Sequence, residues 1–217
     1  MWFTSWPRNR KRQPSLSKRP SFRPALEALE DRWVPSTLTV RNTLDSGAGS
    51  LRAEIAAAHD RDTIVFAPSL DGQTITLTSG ELLIKHNLTI TGPGASQLAV
   101  SGNNASRVFE VSKTLNSVTL SGLTISNGGS TYGGGIFNHG TLTVSGSALF
   151  GNSAASGGGG IYNTNSFSAT VTVKNSSAIT GNTAPVGFGA DIYNQGVLYL
   201  DISSIIGILD GNPAVPI

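Results

Sequence analysis

Cysteine is absent, charged residues make up only 13% of the chain, and no apolar run approaches the length of a membrane span. The first absence excludes disulfides, thiolate metal sites and a cysteine nucleophile. The second argues against an amphipathic helical protein. The third excludes an apolar transmembrane helix, and no secretory signal is expected, because no continuous apolar stretch follows Arg8-Asn9-Arg10-Lys11-Arg12. What is present is small and polar: 26 Gly among 217 residues, with many Ser, Thr and Asn. That composition suits many short strands joined by tight turns.

The formal net charge of +2 conceals an asymmetry. Residues 1–36 carry eight Lys/Arg against three acids, whereas residues 37–217 carry seven against ten. A positive arm on a slightly acidic body suits a targeting or disordered extension better than a nucleic-acid-binding one. Met1 to Phe22, rich in Arg, Lys, Pro and Ser, reads as disordered. In Arg23 to Ser36, Leu26, Leu29 and Trp33 share one face of a short helix that Pro35 ends.

One phrase recurs three times in the body: Gly133-Gly134-Gly135-Ile136-Phe137-Asn138, Gly158-Gly159-Gly160-Ile161-Tyr162-Asn163 and Gly189-Ala190-Asp191-Ile192-Tyr193-Asn194. Its isoleucines are 25 and then 31 residues apart. The extra residues fall in Gly/Ser/Asn-rich turns, while the triplets Leu142-Thr143-Val144, Val171-Thr172-Val173 and Leu198-Tyr199-Leu200 keep a period of two. A unit of this size cannot bury its apolar face alone and must stack on its neighbours. Each unit offers three strand signals, as a three-sided parallel coil requires, with Leu and Val inward and the middle Thr outward. Ahead of the repeats, Ser50 as N-cap with Leu51, Ile55 and Ala58 on one face predicts a helix over about 50–59, placed to cap the first coil's open edge.

Two stretches resemble known families. Arg23-Pro24-Ala25-Leu26-Glu27-Ala28-Leu29-Glu30-Asp31-Arg32-Trp33-Val34-Pro35-Ser36 resembles the "RPxLExLEDRxxPS" segment of surface or exported proteins of planctomycete-type bacteria. Gly49-Ser50-Leu51-Arg52-Ala53-Glu54-Ile55, Asp62-Thr63-Ile64-Val65-Phe66, Leu88-Thr89-Ile90-Thr91-Gly92-Pro93-Gly94 and Gly122-Leu123-Thr124-Ile125 are similar to the opening of CSLREA-type surface proteins. Gly49 stands where that family has Cys, and Arg52-Ala53-Glu54-Ile55 where it has Arg-Glu-Ala-Ile. The Gly-Gly-Gly-Ile and Phe150-Gly151-Asn152 elements are similar to repeats of polymorphic outer-membrane proteins. The resemblance implies an all-β, right-handed parallel β-helix of the pectin-lyase-like kind, in a bacterial protein that is secreted or held at the cell surface. The expected organisation is a basic leader over 1–36, with a sorting-like segment over 23–36, then a β-helix of roughly five coils over 37–217.

Candidate residues for chemistry are sparse. From Gly122 to Ile217 the only acids are Asp191, Asp201 and Asp210, with Lys174 the one Lys/Arg. Hydrolysis of a glycosidic bond needs two carboxylates at a set separation. Asp191 and Asp201 are the pair to consider, although Asp191 stands where the repeat has Gly. Asn127, Asn152 and Asn182 after the second strand, and Asn138, Asn163 and Asn194 after the third, read as a structural ladder at the coil corners. His139 reads as a turn residue, and His59 and His86 lack a second ligand at metal spacing, so neither metal nor cofactor is expected. Gly187-Phe188-Gly189-Ala190-Asp191 resembles one calcium-binding nonapeptide turn without adjacent copies. Tyr132, Tyr162 and Tyr193 are the aromatics that could stack on a sugar.

The function expected is non-enzymatic: a surface or secreted structural module, adhesin-like, whose ligand would be extracellular polysaccharide or a surface protein. The alternative is a carbohydrate-active enzyme, a polysaccharide lyase or glycoside hydrolase, built on the same fold.

Overall fold

The structure, a computed structural model, describes residues 1–2, 34–112, 117–166 and 169–217. Most of the expected leader and of its sorting-like segment therefore lies outside the described residues. From Thr37 onward the chain forms a parallel β-solenoid of about six turns.

β1 (Thr37–Val40) leads through a turn into α1 (Leu51–Ala57). Six turns of three strands each follow: β2 (Asp62–Phe66), β3 (Gln73–Thr76), β4 (Leu82–Ile84); β5 (Leu88–Thr91), β6 (Leu98–Ser101), β7 (Phe109–Val111); then β8 (Val118–Ser121), β9 (Thr124–Ser126). The third turn adds a corner strand, β10 (Gly129–Tyr132), before β11 (Ile136–Asn138). The fourth runs β12 (Thr141–Ser145), β13 (Ala148–Phe150), corner strand β14 (Ser153–Gly157), β15 (Ile161–Asn163). The fifth and sixth are β16 (Thr170–Lys174), β17 (Ala178–Ile179), β18 (Ile192–Asn194) and β19 (Val197–Leu200), β20 (Ile205–Ile206), β21 (Leu209–Gly211), after which β22 (Val215–Pro216) begins another rung.

The strands build three parallel sheets, one per side. Sheet 1 runs β1-β2-β5-β8-β12-β16-β19-β22, sheet 2 runs β3-β6-β9-β13-β17-β20, and sheet 3 runs β4-β7-β11-β15-β18-β21. β10 and β14 pair at the corner between sheets 2 and 3. Roughly five coils were expected, and the additional turn is β2 to β4. Its strand signals are legible, but it lacks the Gly and Asn marks of the repeat: its third strand has Leu82 and Ile84 inward where the third to fifth turns have Ile and Asn.

Alternation explains the phrase Ile-aromatic-Asn. Ile136, Ile161 and Ile192 stack in register and are fully buried, as are Asn138, Asn163 and Asn194, while the residue between them points outward. Sheet 1 contributes the parallel inward columns Leu88-Val118-Leu142-Val171-Leu198 and Ile90-Leu120-Val144-Val173. These columns form one continuous core. Each fully buried aliphatic contributes about 1.5–3 kcal/mol relative to its exposed state.

α1 starts at the expected cap: the Ser50 Oγ accepts from the Ala53 N–H at 3.2 Å. Leu51 and Ile55 are buried in the core cluster together with Ala58, whose extended backbone ends the helix. Arg52 ties the helix to the first full turn, donating to the Gly80 carbonyl at 2.6 Å and the Glu81 carbonyl at 2.7 Å while pairing with Asp45 at 2.7 Å.

Candidate ligand-binding surface

The outward residue of the repeated phrase builds a row on sheet 3. In register from turn to turn it reads Leu83, Glu110, Phe137, Tyr162, Tyr193 and Asp210. The three central rings are joined by two more. Tyr132, at the end of β10, meets Tyr162 edge-on with centroids 5.0 Å apart, and Phe188, from the long connection before β18, lies 5.7 Å from Tyr193. Phe137 and Tyr193 are each 5.4 Å from Tyr162. The structure thus brings Tyr132, Tyr162 and Tyr193 together, although they are dispersed over 62 residues of sequence.

Between the rings runs a groove of about 380 Å³, lined among others by Tyr132, Tyr162, Pro185, Phe188, Tyr193 and Gln195. Among the described residues no charged side chain lines it. Tyr132 and Phe188 form exposed walls, at 41% and 44% exposure, above the more buried Tyr162 and Tyr193. The Tyr162 hydroxyl donates to the Gln195 Oε1 at 2.9 Å. Burial, then the neighbouring Tyr193 and Tyr132, push the Tyr162 phenol above its ordinary pKa, so it stays a neutral donor.

One side of the row is fixed by Arg107, which sequence reasoning passed over. Its guanidinium lies 4.6 Å from the Phe137 ring centroid and donates to the carbonyls of Tyr132 and Gly133 and to the Ser130 Oγ, each at 3.1 Å. It also pairs with Glu81 at 2.5 Å and Glu110 at 2.8 Å. Burial raises the Glu81 pKa; Arg107 opposes this and the adjacent Glu110 adds to it. Because β4 and β7 precede the recognisable repeats, nothing in the spacing linked these acids to the aromatic phrase.

The asparagines form two ladders. Asn138 donates to the Asn163 Oδ1 and Asn163 to the Asn194 Oδ1, both at 2.7 Å, and Asn194 donates to the Asn212 carbonyl at 2.9 Å. At the sheet 2 corner Asn152 donates to the Asn182 Oδ1 at 2.9 Å, and Asn182 to the Asp191 Oδ1 at 2.8 Å. Asp191 is 2% exposed; its Oδ1 also accepts from the Asn182 backbone N–H, and its Oδ2 accepts from Ile208 N at 2.7 Å. It ends the ladder where the following turn, with only Gly207 and Ile208 between β20 and β21, has no asparagine to offer.

Asn127 stands apart from this ladder. It is exposed, with a left-handed φ of 51°, and shares its place with Gly151 and Gly181, whose φ values are 65° and 68°. The ladder position in its turn belongs to Gly128, whose backbone N–H donates to the Asn152 Oδ1 at 2.9 Å.

Asp201 lies at the sheet 1 to sheet 2 corner and accepts from Asn175 N at 2.6 Å and from Ser203. Asp191 lies at the sheet 2 to sheet 3 corner, and no hydrogen bond joins the two carboxylates. Each acts as an acceptor for its own corner. The His139 ring stacks edge-on against Phe137 at 4.2 Å; His86 faces Asp60 at 3.6 Å. Among the described residues no group of three or more His, Cys, Asp or Glu could hold a metal ion, and no helix is long and apolar enough to cross a membrane.

The chain matches no protein-family model, no curated protein and no solved structure.

Proposed function

We propose that this chain is a non-enzymatic β-helix module that binds an extended polysaccharide in the aromatic groove of sheet 3. The observation that carries the reading is the uncharged groove walled by Tyr132 and Phe188 and floored by Tyr162 and Tyr193. The apolar faces of sugar rings can lie against such aromatic side chains, and their hydroxyls can be met by amide and phenol groups such as Gln195 and Tyr162. The solenoid is proposed to wind right-handed, the hand that nearly all parallel crossovers take, and α1 to cap its first turn by covering Leu51 and Ile55 against the core. Placement at a bacterial cell surface or outside the cell, with kinship to CSLREA-type and polymorphic outer-membrane-protein repeats of planctomycete-type bacteria, belongs to the same reading; its support is the resemblance of Arg23–Ser36 and of the strand motifs.

A carbohydrate-active enzyme is the second reading. The pair to which it would attach is Glu81 and Glu110, since Glu110 continues the aromatic row beside Phe137 and Glu81 shares the Arg107 guanidinium with it. Their common ion pair with Arg107 favours a structural role, because it ties both to one partly buried cation.

Binding of the full-length protein to a glycan array, with reducing-end release assayed on the same polysaccharides, separates the readings. Binding without cleavage is expected, and Tyr132→Ala or Phe188→Ala should each weaken it roughly tenfold, about 1.4 kcal/mol. Cleavage abolished by Glu81→Gln would establish the enzyme instead.

A further inference from the structure

The outward side of sheet 1 carries a second regularity, remote from the aromatic groove. In strand register Thr37, Thr63, Thr89, Thr119, Thr143 and Thr172 follow one another, one per strand. Two residues further along, a second row reads Thr39, Val65, Thr91, Ser121 and Ser145 before it reaches Lys174. No register shift interrupts either row, and Lys174 is the first charged side chain in them. Successive rungs of a parallel sheet are about 4.8 Å apart, and residues two apart on one strand about 6.6 Å. The two rows therefore make a near-rectangular lattice.

Threonine forms strands well, so outward threonines alone indicate nothing further. Their hydroxyls are more informative. Where threonines lace a sheet, they hydrogen-bond to one another across strands. Here none of the first row's six hydroxyls bonds to any described residue; in the second row Ser121 makes long 3.4 Å contacts with Thr91 and the Ile90 carbonyl, and Ser145, beside Lys174 at the row's end, accepts from the Asn175 Nδ2 at 2.7 Å. From Thr63 to Thr172 the first row is half-buried between its neighbours above and below. Branching at Cβ and this crowding restrict χ1, so methyl and hydroxyl positions repeat from rung to rung.

An uncharged, repeating array of hydroxyls and methyls, its first row without hydrogen-bond partners among the described residues, suits a ligand that is itself a lattice of hydrogen-bonding oxygens. We propose that the threonine face of sheet 1 binds ice. The rung spacing lies close to the second-neighbour oxygen spacing of ice, so successive hydroxyls can engage one ordered layer of water while the intervening methyls, with Val65, occupy the openings of that layer. Little side-chain freedom remains to be lost on binding, because the rows are already ordered by the fold.

The test uses the full-length protein in ice-partition and thermal-hysteresis measurements. The wild-type protein is expected to concentrate in slowly grown ice, shape the crystals and open a gap between melting and freezing. Thr119→Tyr and Thr143→Lys, each at the centre of the first row, should abolish both effects with an unchanged melting transition of the protein. Tyr132→Ala, in the aromatic groove, should leave them intact. Should either central variant fail to fold, Thr91→Lys, at an exposed position of the second row, replaces it with the same expected loss. Exclusion of the wild-type protein from ice overturns the proposal. So does ice binding that survives in folded row variants, or binding of an insoluble polysaccharide through Thr119 and Thr143 with no affinity for ice.

Discussion

Asn127 and Asn152 show how one residue type takes two roles a single position apart. Sequence spacing groups both with Asn182, but the order of the dipeptide differs: Asn127-Gly128 against Gly151-Asn152 and Gly181-Asn182. The corner needs a left-handed residue first and an inward amide second, and in the first of these turns Asn supplies the backbone conformation instead of the amide. Asn152→Leu should cost about 1–3 kcal/mol, because Gly128 N–H and the Asn182 Oδ1 lose a buried partner. Asn127→Gly should stay within about 0.5 kcal/mol of the parent. Denaturant unfolding of the two variants checks both, and equal losses would contradict the assignment. A carboxylate gives a second residue-scale test. Burial alone would raise Asp45, but hydrogen bonds from Ser79 and Arg52 outweigh it and hold its pKa at about 2, below the ordinary 3.8. Its folded-state pKa is depressed, so its contribution to stability is present above 3.8 and is lost as pH falls through about 2. Asp45→Asn should therefore melt below the parent at neutral pH, and the difference should close as pH drops across that window.

At the scale of the element, β11, β15 and β18 of sheet 3 obey one instruction, Ile in, aromatic out, Asn in, and β8, β12 and β16 of sheet 1 obey Leu or Val in, Thr out. The inward columns hold the stack together. Ile161→Ala should cost about 2–5 kcal/mol, as for other buried aliphatic truncations, measured as a shift in the unfolding midpoint. Val173→Asp places an unpaired charge in the same core and should abolish the cooperative transition altogether. The outward row was less legible. Phe137, Tyr162 and Tyr193 are visible as a repeat, but Tyr132 reaches them only because β10 pairs with β14 at a corner, and Phe188 only through the extended connection between Asn182 and Ile192. Arg107, Glu81 and Glu110 were not legible as members of the site, since β4 and β7 carry none of the repeat's marks.

At the scale of the whole molecule, a solenoid distributes its stability over turns and the interfaces between them. Removing residues 139–163, one 25-residue spacing of the repeat, joins Asn138 to Thr164 and sets β18 against β11 with both Ile and Asn columns intact. That variant should fold with strand-type circular dichroism and a lower melting point, and should lose groove binding with Tyr162. Removing residues 139–150 instead leaves a partial turn, throws every later column out of register and should give no folded protein.

The repeat, the inward and outward sense of its strands, and the helix that Ser50 starts are written in the chain itself, because they follow from local periodicity and capping chemistry that a linear chain displays. The number of turns, the gathering of Tyr132, Phe188 and Arg107 around the aromatic row, and the burial of Asp191 as a ladder terminus come only with folding. Each of those depends on which residues in one turn lie over those in the next. Stacking register is set by the summed lengths of the intervening corners, and no single segment of the chain carries it.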